Sequence, residues 1–218
     1  MTGPWGFPCA ALDQGMDVAW IEVVLSLAVG LALAAAAGLR VFLPLLILGG
    51  ASRLGWVPLV SDFNWLASDV GLGALAVAVV LEVGAYFIPW VDNVLDVAAG
   101  PLAIVSGALA VAAVTTELPP GLRWVLAIVA GGGTAGVVQG LTALTRLKST
   151  AATGGVANPL LAALELFGAI ATSVVAVVLP VVALVLVIAF VLLIRRAGAR
   201  LFRDAAHGRR AAPERSLD

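Results

Sequence analysis

Six long apolar stretches follow one another through this chain with only short polar breaks: residues 18–50, 70–91, 97–116, 123–146, 157–179 and 180–195. No other feature restricts the fold so much. About 20 apolar residues in a helix cross the roughly 30 Å hydrocarbon core of a bilayer. Inside that core only helices and closed barrels satisfy their own backbone hydrogen bonds. With 62% hydrophobic and 11% charged residues, the chain lies outside the range of ordinary soluble domains. Seven Phe, six Trp and one Tyr are too few for the aromatic girdles of a transmembrane barrel. The expected class is all-α: a polytopic transmembrane bundle whose 24 glycines and many alanines allow close helix approach in lipid.

The punctuation of these stretches sets the expected architecture. The first is about 33 residues long and contains Gly38, Arg40 and Pro44, which interrupt a helix. It is either one long broken helix or a span followed by a re-entrant segment ending at "GGASRLG". Residues 157–195 would measure about 57 Å as one helix, so a break is expected, at Pro180. Residues 51–69, with Trp56, Pro58, Asp62, Asn64 and Trp65, read as an interfacial loop or short surface helix. "TTELPPGLRW" at 115–124 divides the chain into halves. Each half offers a small-residue-rich helix, a helix with a mid-span Glu, and a third apolar helix. This predicts two inverted three-helix repeats in the order 1–17 leader, 18–116 first repeat, 117–122 linker, 123–195 second repeat and 196–218 tail. Six spans result, or seven with an external N-terminus if the first stretch crosses twice.

Charge orients the bundle. Arg195, Arg196, Arg200, Arg203, Arg209, Arg210 and Arg215 all follow Ile194, so the tail is expected to be cytoplasmic and the protein to lie in a bacterial inner membrane. The Arg-rich tail reads as a topology anchor and not as a nucleic-acid patch. "MTGPWGFPCAALDQGMD" has no basic residue and does not read as a signal peptide. Cys9 is the only cysteine and His207 the only histidine, so no Cys/His metal cluster is possible. A carboxylate site for a hard cation stays open.

The polar residues inside the apolar stretches are the candidate site. Glu82 and Glu165 each sit where a charge costs roughly 2.5–3.5 kcal/mol on insertion scales. Facing each other, they would share a proton or hold a cation; singly, each would bond a neighbouring hydroxyl or backbone group. Asp92, Asn93 and Asp96 follow Pro89 and would either cap the next helix or line an ion entrance. Arg40 is either an interfacial anchor or the partner of a membrane carboxylate. "AGGGTAG" (130–136) lacks the Lys-Ser/Thr of a phosphate loop; it would pack closely against another helix or unwind around a substrate, with Thr134 and Gln139 as the nearby polar side chains. Asn158, before Pro159, reads as the N-cap of the Glu165 helix. No hydrolase constellation stands out, so neither an enzyme nor a cofactor is expected.

The segments "GLRVFLPLLILGGASRLG", "AYFIPWVDNVLD", "GGGTAGVVQG" and "TGGVANPLLAALEL" resemble the bacterial integral-membrane family known as domain of unknown function 4126. The resemblance runs between about residues 24 and 185 and implies a polytopic helical membrane protein. It brings no mechanism.

The expected function is a small transporter or channel for an ion, a proton or a small solute, surrounded by membrane lipid and forming a homodimer. A lipid-handling or assembly-assisting role without flux is the second expectation, and an intramembrane enzyme the third.

Overall fold

The computed structural model describes residues 15–85, 89–154, 156–185 and 188–189. The leader up to residue 14 and the Arg-rich tail lie outside them. Side chains of residues 15–19, 85 and 89–98 are likewise not described. The described residues are helical, with no strand among them. The chain runs through α1 (Gly15–Ala37), α2 (Leu43–Arg53), a 3-10 segment (Ser61–Ala67), α3 (Asp69–Ala85), α4 (Pro89–Val114), α5 (Pro120–Leu126), a π-helical turn (Ala127–Gly132), α6 (Gly133–Thr153) and α7 (Asn158–Val178). A further helical stretch covers residues 180–185.

Local chemistry explains the boundaries. Pro44 lies in the first turn of α2, Pro120 opens α5 and Pro159 sits in the first turn of α7. At these positions the missing N–H is not needed by the helix. Gly154 ends α6 in the left-handed region at φ 64°, which a side chain would disfavour. Leu179 leaves the helical region (φ −135°, ψ 71°) just before Pro180, as steric pressure from a proline ring requires. The expected break at Pro180 is therefore present. Between α5 and α6 the chain stays helical through the π turn, so "AGGGTAG" packs and does not unwind.

Small residues bring the helices into backbone contact. A Cβ on Gly107 of α4 would lie 2.8 Å from the Gly131 carbonyl oxygen and 2.6 Å from Ala135 Cβ. One on Gly38 would lie 2.6 Å from the Ala135 carbonyl oxygen. Residues 28–37 of α1 and 110–114 of α4 form a buried Ala/Val/Leu seam. In lipid such a seam is held by dispersion contact and not by expulsion of water. The outer faces stay apolar: Val77, Val80 and Leu81 on α3, Ile128 and Val129 in the π turn, and Leu160, Leu164 and Phe167 on α7 are exposed. Faces of this kind suit acyl chains.

Among the described residues, three helices are long and apolar enough to cross a membrane: Trp20–Ala37, Pro120–Thr153 and Asn158–Val178. A fourth candidate is Ser61–Ala67 with Asp69–Gly84, bent by 62° between them. A helical membrane bundle is thus plausible on length and composition.

Contacts along the helices give their directions. Gly30 of α1 lies against Val111 of α4, and Ala34 against Gly107, so α1 and α4 are antiparallel. The Val41 carbonyl accepts from Ser106 (2.6 Å), whereas the Val60 amide donates to the Ala113 carbonyl (2.9 Å). The chain therefore reverses at 38–42, and α2 returns beside α4 in the same direction. The first apolar stretch is a helical hairpin, with α2 only 11 residues long, or about 16 Å. That is too short to cross a bilayer core. Next, α3 runs antiparallel to α2, with Arg53 paired to Asp69 at one end and Glu82 bonded beside α2's start at the other. Finally, α6 and α7 form an antiparallel hairpin, with Thr150 bonded to Asn158 and Arg146 to Glu165.

Two expectations need correction. Asp92, Asn93 and Asp96 do not precede a helix; they lie within α4, which is helical through Pro89–Val114. Asn158 is the first helical residue of α7 and not its cap; Ala157 occupies the cap position without a side-chain bond. Asn158 Nδ2 instead donates to Thr150 Oγ1 (3.0 Å), tying α7 to the end of α6.

Candidate functional site

The reversal between α1 and α2 leaves backbone groups that no helix satisfies, and it lies inside the bundle. Side chains from other helices satisfy them. The Val41 amide donates to Glu82 Oε1 at 2.7 Å and the Phe42 amide to Glu82 Oε2 at 3.2 Å. The Ser106 hydroxyl of α4 donates to the Val41 carbonyl. Glu82 of α3 thus ties down the two turn amides that precede α2, 40 residues downstream of Phe42. A carboxylate at this point also meets the positive end of the α2 dipole.

Arg40, 2% exposed, lies in the same reversal. Its Nη2 donates to the Ala162 carbonyl of α7 at 2.7 Å, and its charge acts on the Glu82 carboxylate, itself 7% exposed. Arg40 is therefore no interfacial anchor; it joins a buried polar node with Glu82. The turn at 38–42 thus joins α3, α4 and α7 through polar groups.

Glu165 belongs to a second node. Arg146 Nε donates to Glu165 Oε1 at 3.1 Å, and Arg146 Nη2 donates to Oε2, a two-pronged pair with side chains 13% and 11% exposed. Planar guanidinium and carboxylate match in this geometry. The two glutamates accordingly have different first partners, the Val41 and Phe42 turn amides for one and Arg146 for the other. Ala162, the acceptor for Arg40, lies one helical turn before Glu165 on α7, so the nodes are neighbours along that helix.

The remaining candidates are spread out. Thr134 and Gln139 lie on α6, half-buried, in the stretch that follows the π turn. Asn158 is at the α6–α7 turn, one helical turn before Ala162, the acceptor for Arg40. Asp92 and Asp96 share a face of α4 by their four-residue spacing, but their side chains are outside the described residues. Among the described residues no cluster of three or more metal-ligating side chains occurs. A groove of about 230 Å³ opens between α2 and α7, lined by Ile47, Gly50, Ala51, Leu54, Trp56, Val174, Val177 and Val178. It is apolar throughout.

Sequence reasoning missed two participants. Ser106 sits in "AIVSGAL" and carries no signal, because its partner is a backbone carbonyl 65 residues away. Arg146 reads as a loop-side positive charge, and only the α6–α7 hairpin brings it to Glu165.

No curated protein and no solved structure matches the chain. A family match covers residues 27–200, which takes in every described helix from the middle of α1 onwards and both polar nodes. The chain belongs to the family described as domain of unknown function 4126.

Proposed function

We propose that the protein is a small integral-membrane transporter or channel for an ion or small solute, in which the two polar nodes line the route. The observation that carries this reading is the broken helix. An interrupted helix whose inner end meets buried charge is the arrangement by which membrane transporters build binding sites, since irregular backbone in lipid is tolerated only within protein or beside a cavity. Glu82, Arg40, Arg146 and Glu165 provide both signs of charge there, at positions where isolated charges would be costly.

Helix directions support an inverted repeat with a changed partition. The α2–α3 hairpin and the α6–α7 hairpin are oppositely oriented, because α2 runs parallel to α7 and antiparallel to α6. Pairing α2–α4 with α6, α7 and the helix after Pro180 leaves α1 as an added first pass. This is the seven-segment alternative, with α2 as a half-length member. It places the N-terminus opposite the α6–α7 turn, which carries Arg146 and Lys148 and is cytoplasmic in this reading. The protein would sit in a bacterial inner membrane as a homodimer.

Flux tests the reading. Purified protein in liposomes should carry protons or small ions when a gradient is imposed, and Glu82→Gln and Glu165→Gln should each reduce the flux at least about tenfold, the scale of one lost charge-assisted bond. Folded protein that carries no tested ion, with the variants indistinguishable from it, would remove the proposal. The apolar groove between α2 and α7 favours the second reading, lipid handling. That alternative would show as a stoichiometric co-purified lipid without flux.

A further inference from the structure

We propose that the groove between α2 and α7 holds one acyl chain of a resident phospholipid, whose headgroup lies at the end of α2 marked by Trp56, Arg53 and Asp69. The inference rests on the membrane setting of the proposed function and not on flux, and its test separates the two.

The groove follows from what α2 leaves out and from how it ends. Ile47, Gly50, Ala51 and Leu54 recur at helical spacing and form one stripe of α2. Val174, Val177 and Val178 of α7 form the facing wall. Valine holds essentially one rotamer in a helix, so this wall is fixed before anything binds. Two glycines stand side by side in α2, and they differ. A Cβ on Gly49 would collide with the Leu66 carbonyl, so packing requires that glycine; a Cβ on Gly50 would meet nothing within 4 Å. Glycine inside a helix weakens it relative to alanine. At position 50 no atom of the described residues needs the missing side chain, and the space it leaves falls in the groove.

A helix-ending motif sets the mouth. The Trp56 amide donates to the Ala51 carbonyl at 3.0 Å and the Gly55 amide to the Ser52 carbonyl at 2.9 Å, with Gly55 in the left-handed region at φ 76°. This is the Schellman arrangement, which turns the second residue past the cap back toward the last helical turn. It puts Trp56, 56% exposed, at the rim of the groove. Tryptophan favours the membrane–water boundary, so the rim marks the depth of the headgroups. Arg53 and Asp69, both exposed, supply one charge of each sign at this end, complementary to the phosphate and ammonium of a zwitterionic headgroup. From Leu54 to Ile47 the groove descends about 10 Å, with no polar side chain along it. Its size selects the occupant. An apolar cavity of about 150 Å³ takes up benzene, so about 230 Å³ holds a stretch of one hydrocarbon chain. A partner helix, about 10–12 Å across with its side chains, is too broad to enter. Because α2 runs parallel to α7, the headgroup belongs to the leaflet away from the α6–α7 turn.

Filling the groove tests this. Full-length protein purified in a mild detergent and washed should keep one phospholipid per chain, read by phosphorus assay and mass spectrometry. Gly50→Phe, which places a ring in the groove, should keep at least about tenfold less, the scale of two buried methylenes lost. Gly50→Leu, a less bulky helix former, should show the same loss and guards against a folding failure of the first variant. Gly73→Phe on α3, equally open but not lining the groove, should keep its lipid. Dioleoyl phosphatidylethanolamine added to delipidated protein should raise the Tm of wild type and of Gly73→Phe but not of Gly50→Phe. A washed wild type without phospholipid, or equal retention in every variant, overturns the proposal; so does equal loss from Gly50→Phe and Gly73→Phe. If Gly50→Phe keeps its lipid and turns a dimer into a monomer, the groove is a contact between copies and the proposal falls. Lipid lost from Gly50→Phe while wild type carries no ion leaves the groove site standing and removes transport. Flux in wild type with lipid retained by Gly50→Phe does the reverse.

Discussion

Glu82 and Glu165 are both mid-helix carboxylates in apolar sequence, yet the structure gives them opposite solutions to the same desolvation problem. Glu82 accepts hydrogen bonds from the Val41 and Phe42 amides, with Arg40 as a nearby charge. Glu165 is neutralised by a side-chain cation, Arg146. The difference predicts different responses to mutation. Removing one member of a nearly buried ion pair strands the other, whereas removing both with apolar replacements is close to neutral. Arg146→Leu alone and Glu165→Leu alone should each cost about 2–3 kcal/mol, somewhat below the fully buried range. The double variant should return to within about 1 kcal/mol of wild type, read from denaturant unfolding in detergent. Additive losses would show that the pair is not what the two residues do for stability. The position of each glutamate was legible in the sequence, since a charge inside twenty apolar residues is conspicuous. Their partners were not, because Val41, Phe42 and Ser106 contribute through groups that any residue or a common hydroxyl provides.

At the scale of elements, the glycines of "AGGGTAG" carry unequal weight. Gly131 faces the Gly107 carbonyl oxygen at 2.5 Å for a hypothetical Cβ, whereas Gly133 meets nothing. Gly107→Ala and Gly131→Ala should each destabilise by about 1–3 kcal/mol through overpacking against backbone. Gly133→Ala and Gly140→Ala, in open positions, should be neutral or slightly stabilising through better helix propensity. Thermal unfolding of the four variants in one detergent separates them; a uniform response would mean that the seam is not close-packed. The breaks at Pro180 and at 38–44 were readable because proline and glycine act locally. The cap of α7 was misread because helix ends also depend on contacts: Asn158 spends its amide on Thr150 across the α6–α7 turn.

For the whole molecule, the α2–α3 and α4–α5 connections lie at one end. The Val60 amide bonds the Ala113 carbonyl, and the Phe63 and Trp124 rings are tilted at 6.1 Å. The α6–α7 turn lies at the other end, since α6 runs antiparallel to α4. In a bundle that spans the bilayer, these ends face opposite compartments. Ser61→Cys and Ala152→Cys, both at exposed positions and each in the Cys9→Ser background, should therefore react with a membrane-impermeant maleimide from opposite sides. By the charge rule the second is reached only from the cytoplasm. Labelling of both from one side would invalidate the arrangement. This asymmetry follows from the α1–α2 hairpin, which reverses the direction of everything after it.

The sequence by itself determined the solvent and the class of element: long apolar stretches in a chain this poor in charge have no other way to satisfy their backbone than as helices, and prolines and glycines mark where those helices stop. Only the tertiary structure decided that the first stretch doubles back, that α2 is half a span long, and that a glutamate from the next helix bonds the turn leading into it. The reason is physical. A helix end in a bilayer must find hydrogen-bond partners from elsewhere in the fold, and those partners lie 40 to 65 residues away along the chain, beyond the reach of any local pattern.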